Sequence, residues 1–180
     1  MPKLSTNVVF QNAWVVADLD AALEHWTQVM GVGPFYFMDW ESDDGFTYRG
    51  APGHLKMRVC WAQAGDVQVE LIDVRSDAPN VYRDLVPAGE TRFHHVCFWS
   101  RDYDGDIAAM EAAGFPLAMA PGEAAARFAY FDSSAVNNQM IEILEHDEGM
   151  AGLFGAIAEI GRSWDGSRPV REFAELMQAG

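Results

Sequence analysis

Residues 7–16 alternate between apolar and polar positions and are rich in β-branched and aromatic side chains, which predicts a strand. Asp18 follows as a candidate N-cap, and Leu19, Ala22, Leu23, Trp26 and Met30 fall on one face at helical spacing. Gly31-Val32-Gly33-Pro34 stops that helix. Further strands are expected over residues 35–40, 55–62 and 67–74, with the acidic, glycine- and proline-bearing stretch 39–53 as a loop. Residues 76–90, which hold Asp77, Pro79, Pro87 and Gly89, read as a connection.

The order then repeats. A strand over 93–100 leads to a helix capped by Asp102 or Asp104 and ended by Gly114-Phe115-Pro116, and strands follow near 117–120, 127–132 and 139–145. Both halves read strand, helix, three strands, with an aspartate before each helix and a Gly/Pro stop after it. The expected fold class is therefore α+β: two tandem βαβββ modules, about 7–75 and 92–146, forming one domain over 7–146. Residues 147–180 read as a helical C-terminal extension, with Leu153, Phe154, Ile157 and Ile160 on one face. Pro169 is expected in the first turn of a last helix carrying Val170, Phe173 and Met177. That extension packs on the domain or on a partner subunit, and a homodimer is compatible with it.

Twelve basic against 27 acidic residues leave a formal charge of −15. A field of that sign repels phosphate backbones and anionic lipid heads, which argues against nucleic acid and membrane partners and is compatible with a cation site. The N-terminus lacks the pattern of a secretory signal, and no apolar stretch is long enough to span a bilayer. Cys60 and Cys97 lie in apolar runs outside any Cys-x-x-Cys pair, so they read as buried free thiols in a cytoplasmic protein.

Chemistry enters where the alternation places acid among aliphatics. In residues 67–72, Val67, Val69 and Leu71 share one face and Glu70 points the other way with Gln68 and Ile72. Residues 139–144 repeat this, with Glu142 opposite Ile141 and Ile143. A carboxylate so placed needs a cation or a donor. Gln11 lies seven residues before Asp18, and His95 seven before Asp102, so the two occupy equivalent points of the two halves. His94 and His95 are adjacent and are expected on opposite faces, with one of them in the cleft. Gln11, Glu70, His95 and Glu142 then form a set of one nitrogen and three oxygen donors.

Four segments carry a resemblance to a known superfamily: Gln11-Asn-Ala-Trp-Val-Val-Ala-Asp18-Leu19, Val69-Glu70-Leu71-Ile72, His94-His95-Val96-Cys97-Phe98 and Met140-Ile141-Glu142-Ile143. In this order they resemble the vicinal-oxygen-chelate superfamily of glyoxalases, methylmalonyl-CoA epimerases, extradiol dioxygenases and bleomycin-resistance proteins. The resemblance implies paired modules curled around a cleft, with Gln11, Glu70, His95 and Glu142 as metal ligands and His95 as the cleft-facing histidine. The ligand pattern is similar to that of zinc-type glyoxalase I, whereas the epimerases carry histidine where Gln11 stands.

Such donors suit a divalent Zn, Mn, Co, Ni or Mg ion, and the lack of a second cleft-facing histidine disfavours iron–oxygen chemistry. The implied activity is that of a metal-dependent isomerase, epimerase or lyase. It would move a proton next to a metal-held carbonyl of an apolar or aromatic small molecule, with Glu142 or Glu70 as ligand and base. The aromatic residues Phe35, Tyr36, Phe37, Trp40, Trp61, Phe128 and Tyr130 favour such a substrate, and Arg49, Arg58, Arg92 and Arg127 are the candidates for holding an anionic group. The alternative is a metal-free protein of the bleomycin-resistance type that sequesters a small molecule, favoured if an arginine intrudes on the quartet.

Overall fold

The computed structural model describes residues 3–121 and 127–178, without the side chains of Asp43 and Asp44; the last two residues of the expected extension lie outside them. Asp18 caps α1 (Leu19–Glu24) by accepting from the Ala21 amide at 2.9 Å, and the helix runs on as a π-helical turn, His25–Val29. Asp102 likewise caps α3 (Tyr103–Ala112), so each expected aspartate cap is in place. Between the halves, Asn80 caps the short α2 (Val81–Leu85).

The strands are β1 (Val9–Val15), β2 (Phe35–Tyr48), β3 (Ala51–Ala64), β4 (Val67–Val74), β5 (Arg92–Ser100), β6 (Leu117–Pro121), β7 (Phe128–Asp132) and β8 (Met140–Glu145). They hydrogen-bond in the order β3-β4-β1-β5-β8-β7-β6-β2, and β2 pairs back to β3. The curled sheet thus closes into an eight-stranded ring. Alternation sorts its two faces. Cys60, Val69 and Leu71 point outward beneath α1, together with Phe35, while Ala13, Val15, Trp61, Ile72, Tyr130 and Met140 point inward. Each fully buried Phe or Leu contributes about 1.5–3 kcal/mol. A third cluster, with Met110, Phe131 and Ile143, packs under α3.

Two expectations are corrected. Residues 39–53 are not a loop but the long arms of a β2–β3 hairpin, paired from Tyr36↔Trp61 to Tyr48↔Ala51 with a register shift between Asp43 and Thr47. Its two-residue turn is Arg49-Gly50, with φ of +47° and +81°, the positive values that match strand twist. Buried Phe46 holds the distal arm inside, and residues 46–48 pair with β6 to close the ring. Acidic residues and Pro52 masked that alternation.

The second correction concerns the extension. A short α4 (Ser134–Asn137) lies between β7 and β8; after α5 (Glu148–Arg162), the segment following Pro169 is first a strand, β9 (Val170–Glu172), and only then a helix, α6 (Ala174–Gln178). β9 runs parallel to the first residues of β2, which have a free edge there, and amide bonds from Phe35 to Pro169 (2.8 Å) and from Phe173 to Phe37 (2.9 Å) extend the ladder. The approach is close enough that a Cβ on Gly33 would sit 2.7 Å from the Trp164 ring.

Candidate metal centre

The pairing registers bring the acids together. Glu70 on β4 and His95 on β5 both face Ala13 of β1, whose methyl group leaves room for the two longer side chains to meet above it. One row along, Gln68, Gln11, Cys97 and Glu142 stand in line across β4, β1, β5 and β8. His95 Nε2 lies 3.3 Å from Glu70 Oε2 and 3.0 Å from Glu142 Oε2. All three residues are buried, His95 completely.

Although so near, His95 Nε2 and Glu70 Oε2 make no directed hydrogen bond. Both aim at the space among the three side chains. Bonds of about 2.0–2.2 Å to a single ion place its donors about 3.0–3.5 Å apart, and both His95–carboxylate distances fall in that range, with all three donor atoms within 4.8 Å of one another. The donor set therefore fits a divalent cation. Gln11 is 3% exposed and its Nε2 donates to Gln68 Oε1 at 2.6 Å. An amide fixed through its nitrogen keeps its oxygen for another partner.

Neighbouring groups hold the cluster in place. Trp61, in register with Glu70, donates Nε1–H to Glu70 Oε1 at 2.8 Å and leaves Oε2 for the centre. Tyr130, in register with Glu142, stands edge-on to His95 with ring centroids 5.0 Å apart. Burial raises the Glu70 pKa. Burial alone would lower that of His95, but Glu142 and Glu70 outweigh it and hold His95 up at about 9. Without a cation, a proton on His95 fills that role.

The histidine pair departs from expectation. A bulge in β5 sets residues 93–95 against two residues of β1, so His94 and His95 both turn inward instead of to opposite faces. His94 is completely buried, its Nδ1 lies 2.9 Å from His95 Nδ1, and its Nε2 lies 3.1 Å from the Val81 carbonyl of α2. Both nitrogens of His94 are thus engaged, so it offers no second imidazole to the centre. Neither that contact nor the roles of Trp61 and Ala13 were legible in strand alternation, which a bulge interrupts.

The roof over this interior is the C-terminal segment. Phe154 of α5 lies 5.9 Å from both Trp61 and Trp99, and Phe173 lies 5.2 Å from Trp61. Of the aromatic residues expected at a cleft wall, Tyr36, Trp40, Trp61, Phe128 and Tyr130 belong to the inner core, whereas Phe35 and Phe37 lie on the outer face. Cys60 is also on the outer face, its thiol pushed up to about 12 by burial, and Cys97 faces Glu142, where burial likewise raises its thiol well above the ordinary range.

The four candidate anion-binding arginines are engaged elsewhere. Arg49 bridges Asp84 and Asp132 at 2.8 and 2.7 Å, and Arg58 forks onto Asp39 at 2.8 and 2.6 Å. Arg92 pairs with Glu90, and Arg127 with Glu145 and Asp104. Among the described residues, no arginine ion-pairs with Glu70 or Glu142, and no helix is long and apolar enough to cross a membrane.

Comparison with known proteins agrees with this architecture. A hypothetical protein from Bacillus halodurans C-125 has a similar fold, with TM-score 0.57 and 15% identity over 80% of this chain and 97% of its own. Methylmalonyl-CoA epimerase from Mycobacterium tuberculosis gives 0.53 and 18% over 83% and 97%. Streptomyces coelicolor methylmalonyl-CoA epimerase, solved with 2-nitronate-propionyl-CoA, gives 0.55 and 19% over 80% and 97%. At such identities the likeness is one of fold. Among curated proteins none matches. The sequence profile of the Glyoxalase/Bleomycin resistance protein/Dioxygenase superfamily matches residues 10–131, and the chain, with its curled sheet, belongs to that vicinal-oxygen-chelate superfamily.

Proposed function

We propose that this protein is a metal-dependent isomerase, epimerase or lyase that moves a proton next to a carbonyl of an apolar or aromatic small molecule. The observation that carries the reading is His95 Nε2, buried between Glu70 and Glu142 at 3.3 and 3.0 Å with no directed bond to either. Glu70, His95 and Glu142 would hold a divalent ion, with Gln11 of the intervening strand β1 as fourth ligand. When bound, the ion supplies Lewis acidity toward a carbonyl oxygen, which acidifies the adjacent C–H.

The chain's own residues then handle the proton. Glu70 is one candidate acceptor, with Trp61 holding its other oxygen still. Glu142 approaches the same His95 nitrogen, so one carboxylate could take the proton and the other return it. The aromatic roof excludes water. Two βαβββ halves, each supplying its first and last strand, account for this arrangement.

A metal-free sequestering role receives no support from the ion pairs, since that reading expects an arginine on the acids. Dioxygenase chemistry lacks its second histidine. With the four candidate arginines already paired, a small uncharged or weakly anionic substrate fits better than a CoA ester. The test is NMR of a panel of aryl and alkyl carbonyl compounds in D₂O with cobalt- or nickel-loaded protein. Metal-dependent deuterium uptake beside the carbonyl, or an isotope effect where the base shields its proton, that is lost in Glu142→Gln supports the reading. Oxygen consumption without exchange or isotope effect contradicts it.

A further inference from the structure

Two adjacent strand residues rarely turn into one interior, and here the bulge in β5 makes both imidazoles do so. The contact between them follows a strict order of donors. The Val81 carbonyl can only accept, so His94 Nε2 carries a hydrogen and donates to it at 3.1 Å. No carboxylate touches His94 and solvent does not reach it, whereas His95 faces two carboxylates, so the geometry leaves His94 Nδ1 as the acceptor. Over the 2.9 Å that separates the two Nδ1 atoms, the hydrogen therefore belongs to His95. A neutral His95 with its hydrogen on Nδ1 has its lone pair on Nε2, the atom aimed between Glu70 and Glu142.

We propose that His94 is a positioning residue: it transmits the fixed polarity of the Val81 carbonyl to His95, sets the hydrogen on His95 Nδ1, and so presents Nε2 as a ligand. The connection between the halves thereby acts on the centre, since Val81 opens α2. Edge-on packing of the two rings, at an interplanar angle of 90°, holds the orientation, and Tyr82 braces His94 with ring centroids 4.9 Å apart. This inference rests on the metal reading above, but its core, a hydrogen on His95 Nδ1 accepted by His94 Nδ1, is also a property of the metal-free chain, where His95 carries its second hydrogen on Nε2.

The experiment has two arms. In ¹⁵N-labelled metal-free protein, the expected result is a protonated His94 Nε2, an unprotonated His94 Nδ1 and a coupling across the hydrogen bond from His95 Nδ1–H. In metal titrations with Co²⁺, His94→Phe, which keeps the ring volume and removes both nitrogens, loses about 10–100-fold in affinity, the usual cost of removing such a support. His94→Gln, which keeps one donor and one acceptor, recovers most of it. A purely structural role would instead lower melting temperature in both variants without separating their affinities. A hydrogen on His94 Nδ1, or equal affinity in wild type and His94→Phe, overturns the proposal. Should wild type show the expected tautomer but bind no Co²⁺, the metal reading falls and the positioning role with it.

Discussion

The first strands of the two halves solve one problem differently. Gln11 of β1 and His95 of β5 stand at the same offset from their helix caps, and both are buried. Gln11 is steadied by an amide from another strand, Gln68 of β4. His95 is steadied from its own strand, by a neighbour that only a bulge could bring inside. Equivalent positions therefore need not offer equivalent donors. A neutral amide needs its nitrogen tied so that its oxygen is free. An imidazole needs its hydrogen assigned, and it sits between two carboxylates that demand a positive charge.

That asymmetry predicts unequal losses. His95→Ala leaves Glu70 and Glu142 facing each other without a cation, and chemical denaturation of the metal-free variant at pH 7 should show a loss of about 3–5 kcal/mol. Gln11→Ala removes one neutral bond and leaves Gln68 Oε1 unpaired, so about 1–3 kcal/mol is expected. Equal losses at the two positions would contradict the asymmetry.

Protonation sharpens the contrast. The His95 pKa is raised to about 9 by its carboxylates, from 6.5 in the unfolded chain, so its contribution is fully present below pH 6.5 and is lost as pH rises through 9. For His94, burial first and the His95 charge second lower the pKa to about 3, so stability is also lost as pH falls from 6.5 toward 3. Metal-free protein should thus melt highest near pH 6.5, with a span on the order of 3 kcal/mol toward pH 9. Metal must displace the His95 proton, so apparent affinity should fall about tenfold per pH unit below 9. A flat affinity profile between pH 6 and 8 would argue that His95 is not a ligand.

The cysteines give the smallest effects. Cys60→Ala acts on the outer face and Cys97→Ala on the inner one, and each should cost about 1 kcal/mol of cavity while leaving metal affinity within about twofold. Complete loss of metal in a well-folded Cys97→Ala protein would mean that its thiol takes part.

Much of this is legible in the sequence. Alternation gave Glu70 and Glu142 their inward faces, and the aspartate caps set the offsets that paired Gln11 with His95. Three features escaped. The β2–β3 arms were hidden by acidic residues on exposed positions of paired strands. His94 was assigned outward because a period of two cannot register a bulge. The extension's strand was missed because Val170–Glu172 is too short to carry a pattern, and its pairing depends on a free edge of β2 that only the fold supplies.

Glu70, His95 and Glu142 are proposed to bind one divalent ion. The direct measurement is a Co²⁺ titration of chelator-treated protein at pH 8, followed by its visible absorption, for wild type and Glu142→Ala. One equivalent bound by wild type, with affinity at least about 100-fold weaker in the variant, is the predicted result. No binding by wild type, or equal binding by both, would contradict it.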